Sequence, residues 1–312
     1  MNPAMLAAIR AWAVGSLLLF SAAGPGLAAP VDETPKKDRP PRITRDEAER
    51  MLEEEKAAAF SQIVPRSQNP KRYLRGYRVI LSDHFVIFTN GPRTTLRFRD
   101  TLEKLYDFVK KYYPYADESR PLKCYIFKSH DEYFAYSEKI RGFRGARATA
   151  GHATAEYYAT FYQSPTADVV IHEATHLIVN AVCRVNGGGS WFQEGTAVFM
   201  ERHFAGLDPS AGQRSHIRYG RYYPLRQLAA LPVLAADGRN AARNYAQAGS
   251  LMDFMVRGPH REKFKDYMDY LRKHPMTHGA AGAEKSIREV YGMSLEEFDA
   301  AWMEHVGYKP KR

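Results

Sequence analysis

Cysteine is scarce in this chain, and its placing excludes most cysteine chemistry. Among 312 residues the only cysteines are Cys124 and Cys183. Neither stands in the C-x-x-C spacing of a metal knuckle or a redox site. Two alternatives remain for them: a single disulfide in an oxidising compartment, or two thiols buried in apolar patterns. Long apolar runs are equally few. The run from Ala11 to Ala23 falls short of the ~20 residues that cross a bilayer, and no other stretch is longer. The chain also lacks a long basic run and any nucleic-acid motif. Its net charge of +10 is spread among acidic residues, as on a solvated surface, with attraction to a cell wall or another anionic surface as the alternative. Internal repeats are absent, and low complexity is confined to a short Pro- and Lys-rich segment.

What is present begins with a leader. Arg10, the apolar run after it and the small residues of Gly24-Pro25-Gly26-Leu27-Ala28-Ala29-Pro30 form the three parts of a secretory signal peptide. Cleavage is expected after Ala28, so residues 1–28 are the signal peptide. No cysteine follows the apolar run to carry a lipid. The expected location is secreted or periplasmic, with no membrane span after cleavage. Residues 29–76 read as a flexible tether and a polar helix, the helix running from Thr44 to about Phe60 with a narrow buried stripe.

From Tyr77 the pattern becomes that of a folded domain. Tyr77 to Leu81 and His84 to Thr89 are β-rich runs around Ser82-Asp83, a hairpin whose second strand is apolar on both faces. Leu102, Leu105, Tyr106, Val109 and Tyr112 make a helical stripe. Leu122 to Phe127 reads as a strand, and Ser129 with Glu132 as a capping box opening a short helix. Glu156 to Tyr162 is a further strand near a sheet edge. A helix from Ser164-Pro165 to about Val185 follows, stopped by Asn186 and three glycines. Beyond it the chain is mostly helical. Ser190 is placed to cap a helix carrying Glu194 to His203, and Ala205 to Tyr223 is irregular. Leu225 to Leu231, Asn244 to Arg257, the Phe264–Leu271 stripe and a Ser294/Glu297 capping box mark further helices. The fold class expected is α+β: a small mixed β-sheet with helices, followed by a mainly helical C-terminal half.

The chemistry centres on His172-Glu173-Ala174-Thr175-His176. Helical positions four apart share a face, so His172 and His176 can bind one metal ion. Glu173 can then take a proton from a water on it. A buried helix with two hydrogen-bonded histidines is the plain alternative. Catalytic zinc takes three protein ligands, and Glu194 on the next helix is the candidate third. Gly195 beside it allows close backbone approach. Glu201 lies two turns on, either hydrogen-bonded to a ligating imidazole or in a surface salt bridge.

His-Glu-x-x-His followed 18 residues later by Glu194-Gly-x-Ala-x-x-x-Glu201 resembles the gluzincin metallopeptidases. It is most similar to the largely uncharacterised secreted families with an aminopeptidase-like catalytic domain. The resemblance implies a zincin-like catalytic domain over residues 77–312, one Zn2+ held by His172, His176 and Glu194, and Glu173 as general base. The substrate would be a peptide or protein. Tyr245-Ala246-Gln247-Ala248 looks like the family's Tyr-x-Lys-Gly segment, which implies Tyr245 as an oxyanion-stabilising group. Gln247-Ala248 replaces the Lys-Gly, so Tyr245 as a core tyrosine stays open. The Gly-x-Met-Glu-Asn exopeptidase motif is absent, since Gly151-His152-Ala153 and Glu156 do not reproduce it. No downstream proton-donating histidine stands out; His203 and His216 read as surface residues. The expected function is secreted, zinc-dependent peptide hydrolysis, with the Glu156–Tyr162 strand offered to an extended peptide by β-addition. The alternatives are a catalytically inactive peptidase-fold binding protein at the cell envelope and a zinc amidase acting on peptidoglycan peptides.

Overall fold

The computed structural model describes residues 43–113, 121–144, 146–163 and 168–309. The expected signal peptide, the tether to residue 42 and the Ser164-Pro165 helix start lie outside them. The fold is α+β, and the chain divides into two compact units that meet in sequence after Cys183.

The first unit is built on a five-stranded mixed sheet. Its strands are β1 (Arg78–Leu81), β2 (Phe85–Thr89), β3 (Leu122–Phe127), β4 (Gly151–Ala153) and β5 (Tyr157–Phe161), in the order β1-β2-β3-β5-β4. β1 and β2 form the expected antiparallel hairpin, with Arg78 opposite Thr89. β2, β3 and β5 run parallel, and parallel neighbours need a crossover. Helix α3 (Leu96–Tyr112) supplies the first and the short α4 (His130–Ala135) lies within the second. Earlier helices are α1 (Arg45–Ala58) and α2 (Pro70–Arg75).

Every residue of β2 is buried, which requires cover on both faces, and period-2 alternation assigns the two. Val86, Phe88, Tyr125, Phe127, Tyr157 and Ala159 pack with Ala48, Leu52, Phe60 and Tyr77 from the α1 side. There the Phe60 and Tyr77 rings stack at 4.2 Å, and Arg141 lies 4.8 Å over the Tyr157 ring. The opposite face carries Phe85, Cys124 and Tyr158. Tyr106 of α3 meets Phe85 there, ring centroids 6.2 Å apart, and helix α5 (Asp168–Ala181) packs on α3 and on the β4–β5 end of the sheet. The polar helix α1 is thus part of the sheet's core, capped by Thr44 and Glu47 in a full capping box. At the β1–β2 turn, Glu103 accepts from Ser82 Oγ (2.6 Å) and from the His84 amide (2.9 Å) and pairs with His84 Nδ1. Cys124 and Cys183 are both buried free thiols.

Several local expectations are corrected. β5 is not an edge strand: β3 and β4 flank it, and the edge at that end is the three-residue β4. The 129–132 box forms by half. Ser129 Oγ accepts from the Glu132 amide, but the Glu132 carboxylate turns to Asn90 Nδ2 (2.7 Å) and Lys128 Nζ (3.0 Å). A buried carboxylate gains more from a cation and an amide than from the exposed cap. Helix α5 ends at Ala181 rather than Val185, because the chain turns off at Arg184, whose φ is +55°.

The second unit is helical: α6 (Gly189–Phe204), α7 (Gln213–Arg218), α8 (Leu225–Ala230), α9 (Ala241–Arg257), α10 (Phe264–Lys273), α11 (Gly279–Tyr291) and α12 (Leu295–His305). α6 and α9 pair at its centre. A Cβ on Gly195 would stand 2.6 Å from the Ala248 carbonyl oxygen, and one on Gly249 2.6 Å from Val198 Cγ1. The two helices therefore approach through bare backbone. Around them Trp191, Leu251, Met252, Met255, Phe298 and Trp302 are buried. Trp302 Nε1 donates to Ser250 Oγ (3.0 Å), and both Asp299 oxygens accept from the Leu225 amide at the start of α8 (3.1 and 2.9 Å).

α6 is not capped by Ser190. Gly188 precedes the helix with φ +91° and no side-chain cap, while Ser190 Oγ accepts from the Leu234 amide (3.1 Å). α7 lies in the stretch read as irregular. α11 is not announced by the hydrophobic pattern, since small residues occupy much of its buried side: Ala283 and Ser286 beside Ile287 and Tyr291. The Ser294/Glu297 box on α12 forms as expected, with bonds of 3.2 and 2.8 Å. Among the described residues no helix is long and apolar enough to cross a membrane.

Candidate metal centre

The local sequence of α5 explains how it presents two imidazoles. Val170, Ile171, Ala174, Leu177, Ile178 and Val179 are all buried, so the helix is held by packing on more than one side. This offsets the low helix propensity of its β-branched residues. Thr175 hides its hydroxyl by donating to the Ile171 carbonyl (2.7 Å). His172 is buried and His176 half-buried, their ring centroids 5.0 Å apart and inclined at 76°. The i,i+4 spacing has done what helical geometry requires.

Glu194 lies on the first turns of α6 and is half-buried. His172, His176 and Glu194 each offer one ligand atom, and these atoms all lie within 4.8 Å of one another. The donor set fits zinc: two imidazole nitrogens and one carboxylate oxygen leave a fourth tetrahedral position open. Bonds of ~2.0–2.1 Å place tetrahedral ligand atoms ~3.4 Å apart, a closing movement within reach of side-chain torsions. Glu194 is held in place from its own helix, because Gly195 brings that turn of α6 against the α9 backbone.

Glu173 faces the sheet. A Cβ on Gly151 of β4 would stand 3.2 Å from the Ala159 carbonyl oxygen and from the Tyr158 ring, and in ordinary contact, 3.4 Å, with Glu173 Cγ. Glycine inside a strand is a signal of such close approach. Tyr133 and Tyr158 also feel Glu173. Both phenols are pushed up, first by burial, with the Glu173 charge adding to it. Tyr133 belongs to a polar row. Its hydroxyl lies 2.7 Å from Thr149 Oγ1 and 3.2 Å from His152 Nδ1, and His152 Nε2 lies 3.2 Å from the Tyr157 hydroxyl. Phe143 stacks on the His152 ring at 4.4 Å. Burial, followed by the Arg141 charge, lowers the His152 pKa to about 4. The imidazole of β4, beside Gly151, is therefore neutral at pH 7.

The remaining candidates are distributed as follows. Tyr245 is half-buried on α9, three residues before the Ala248 carbonyl that abuts Gly195. Glu201 is half-buried on α6, two turns after Glu194. His203 stacks on Phe199 at 5.4 Å. His216 is not the surface residue expected: it is half-buried, and its Nδ1 is fully buried with no hydrogen-bond partner. Comparison with protein-family models and with curated proteins gives no match to this chain.

Proposed function

We propose that this chain is a zinc-dependent metallopeptidase of gluzincin type with a zincin-like fold, acting outside the cytoplasm after removal of its leader. The observation that carries this reading is the grouping of His172, His176 and Glu194 ligand atoms within 4.8 Å, with Glu173 next in sequence to a ligand. Zn2+ bound there supplies Lewis-acid chemistry, bringing the pKa of a water toward ~7 and polarising a carbonyl. Glu173 then serves as general base, accepting the proton of the attacking water and returning it to the leaving amine. Its charge acts on the buried Tyr133 and Tyr158 phenols. The Tyr245 hydroxyl is offered to the developing oxyanion.

The test pairs metal analysis with turnover. Wild-type chain and Glu173→Gln are compared for zinc content and for cleavage of a mixed peptide library. One zinc per chain in both is expected, with the cleavage rate of the variant reduced by about 10²–10⁴-fold. A wild type that binds no zinc, or a variant that cleaves as fast as wild type, overturns the proposal.

A further inference from the structure

Part of the chain's net charge of +10 is concentrated on one stretch of the helical unit. Residues 209–236 contain no Asp or Glu, and Arg214, Arg218, Arg221 and Arg226 fall among them. Arg226 is neutralised, donating to Glu284 (2.6 Å) and Glu296 (3.1 Å). The other three are exposed, and among the described residues none of them makes an ion pair or a side-chain hydrogen bond. Elsewhere on the same unit Arg257, Arg272 and Arg288 each meet a carboxylate. Asp208, the acid before the interval, turns its carboxylate to the Ser210 amide (2.9 Å).

Local geometry puts the three free arginines on one surface. α7 turns Gln213 and Ile217 inward, 1% and 4% exposed, so Arg214 and Arg218, themselves four apart, share the outward side. The helix then closes. The Tyr219 amide donates to the Ser215 carbonyl (3.1 Å), the Gly220 amide to the Ile217 carbonyl (3.0 Å) and the Arg221 amide to the His216 carbonyl (2.7 Å). Gly220, at φ +64°, reverses the chain, and the Arg221 guanidinium lies over the Tyr219 ring, 5.8 Å from its centroid. That ring is 65% exposed. The turn is held from beneath: Tyr222 packs on Trp302, ring centroids 6.2 Å apart, and Gln247 of α9 bonds both the amide and the carbonyl of Tyr223 (3.0 and 2.5 Å). The Arg214 stem runs beside the end of α12, 4.0 Å from where a Cβ on Gly307 would stand.

We propose that Arg214, Arg218, Tyr219 and Arg221 form a docking surface for anionic phospholipid. Guanidinium forks grip phosphate oxygens in pairs, and three together call for a partner that presents several phosphates over one plane. An exposed tyrosine, apolar in body and polar at its tip, suits the headgroup level of a bilayer. A nucleic acid would need the ring face for stacking, and Arg221 covers one face of Tyr219. The contact is peripheral and does not depend on the metallopeptidase reading.

Co-sedimentation of the full chain compares vesicles of phosphatidylcholine with vesicles of phosphatidylcholine and phosphatidylglycerol in equal parts. Tighter binding to the anionic vesicles is expected, falling as added salt screens the arginines. Arg218→Gln and Arg221→Gln each weaken it about fivefold, and the double variant about 25-fold. Arg288→Gln removes the same charge from a place where Arg226 still pairs with Glu284, and it leaves binding unchanged. The apolar run from Ala11 to Ala23 is common to all these chains and cancels from the ratios. In Tyr219→Trp the added indole emission moves to shorter wavelength with anionic vesicles. All four positions are exposed, and circular dichroism checks that each variant is folded. Equal binding to both vesicle types, binding to neither, a loss in Arg288→Gln matching that of the patch variants, or an unshifted indole overturns the proposal. So does tighter binding to single-stranded RNA or polyphosphate, which would make the surface a site for soluble polyanions.

Discussion

Replacing Gly195 by alanine tests the link between helix packing and the proposed metal site. The new Cβ would lie 2.6 Å from the Ala248 carbonyl oxygen and 2.9 Å from its carbon. Ordinary contact begins near 3.4 Å, so α6 and α9 must separate locally by roughly 0.8 Å, a gap that forfeits a quarter to a half of each dispersion contact it opens. Overpacking a core by one methyl costs about 1–3 kcal/mol. Here the obstacle is backbone, so about 3 kcal/mol is expected. For a unit of this size that lowers Tm by about 9 °C. Glu194 moves with the helix, and zinc affinity should fall about ten- to a hundredfold, as when a ligand's support is removed. The comparison is Gly249→Ala, whose Cβ meets Val198 Cγ1 at 2.6 Å. Adding Val198→Ala should restore much of the stability lost in Gly249→Ala, whereas no side-chain truncation relieves Gly195→Ala. Urea denaturation and a competitive zinc titration read both quantities. A Gly195→Ala chain within about 0.5 kcal/mol of wild type and with unaltered zinc affinity would refute the reasoning.

Two further predictions concern pH, and their slopes are opposite. His152 has a folded pKa of about 4 against an ordinary 6.5, so the unfolded chain takes up the proton first. Its contribution is intact above pH 6.5 and lost as pH falls toward 4, at most about 3 kcal/mol. Urea midpoints of the sheet unit should drop over that range in wild type and stay level in His152→Gln. Asp299 is raised from 3.8 to about 7 by burial, opposed by the Leu225 amide. Its contribution is intact below pH 3.8 and declines as pH rises toward 7, by at most about 4 kcal/mol. Asp299→Asn should abolish that decline in the helical unit; a decline of equal size in the variant would assign it elsewhere.

Much of this architecture is legible in the sequence where one signal dominates. The 78–89 hairpin, the α3 stripe and the Thr44 and Ser294 helix starts follow from alternation, periodicity and local capping chemistry. The grouping of His172, His176 and Glu194 follows from i,i+4 geometry and a glycine marking a backbone contact. The errors arise where tertiary partners compete for the same group. Glu132 leaves its cap for Asn90 and Lys128, and Ser190 leaves its helix for the Leu234 amide. β5 reads as an edge because β4, three residues containing a glycine, carries almost no strand signal. α11 was missed because small residues cover much of its buried face.

The two buried thiols give the sheet unit an internal clock. Cys124 sits in the middle of β3 with its thiol pushed up by burial, so thiolate is scarce until the strand leaves the sheet. Cys183 follows the last turn of α5, its sulfur 3.6 Å from the Tyr113 carbonyl. Alkylation of each therefore waits on a different opening event, loss of the central strand for one and fraying of helix α5 for the other. The ratio of the two labelling rates orders those events in time. Zinc bound as proposed to His172 and His176 should slow the second more than the first.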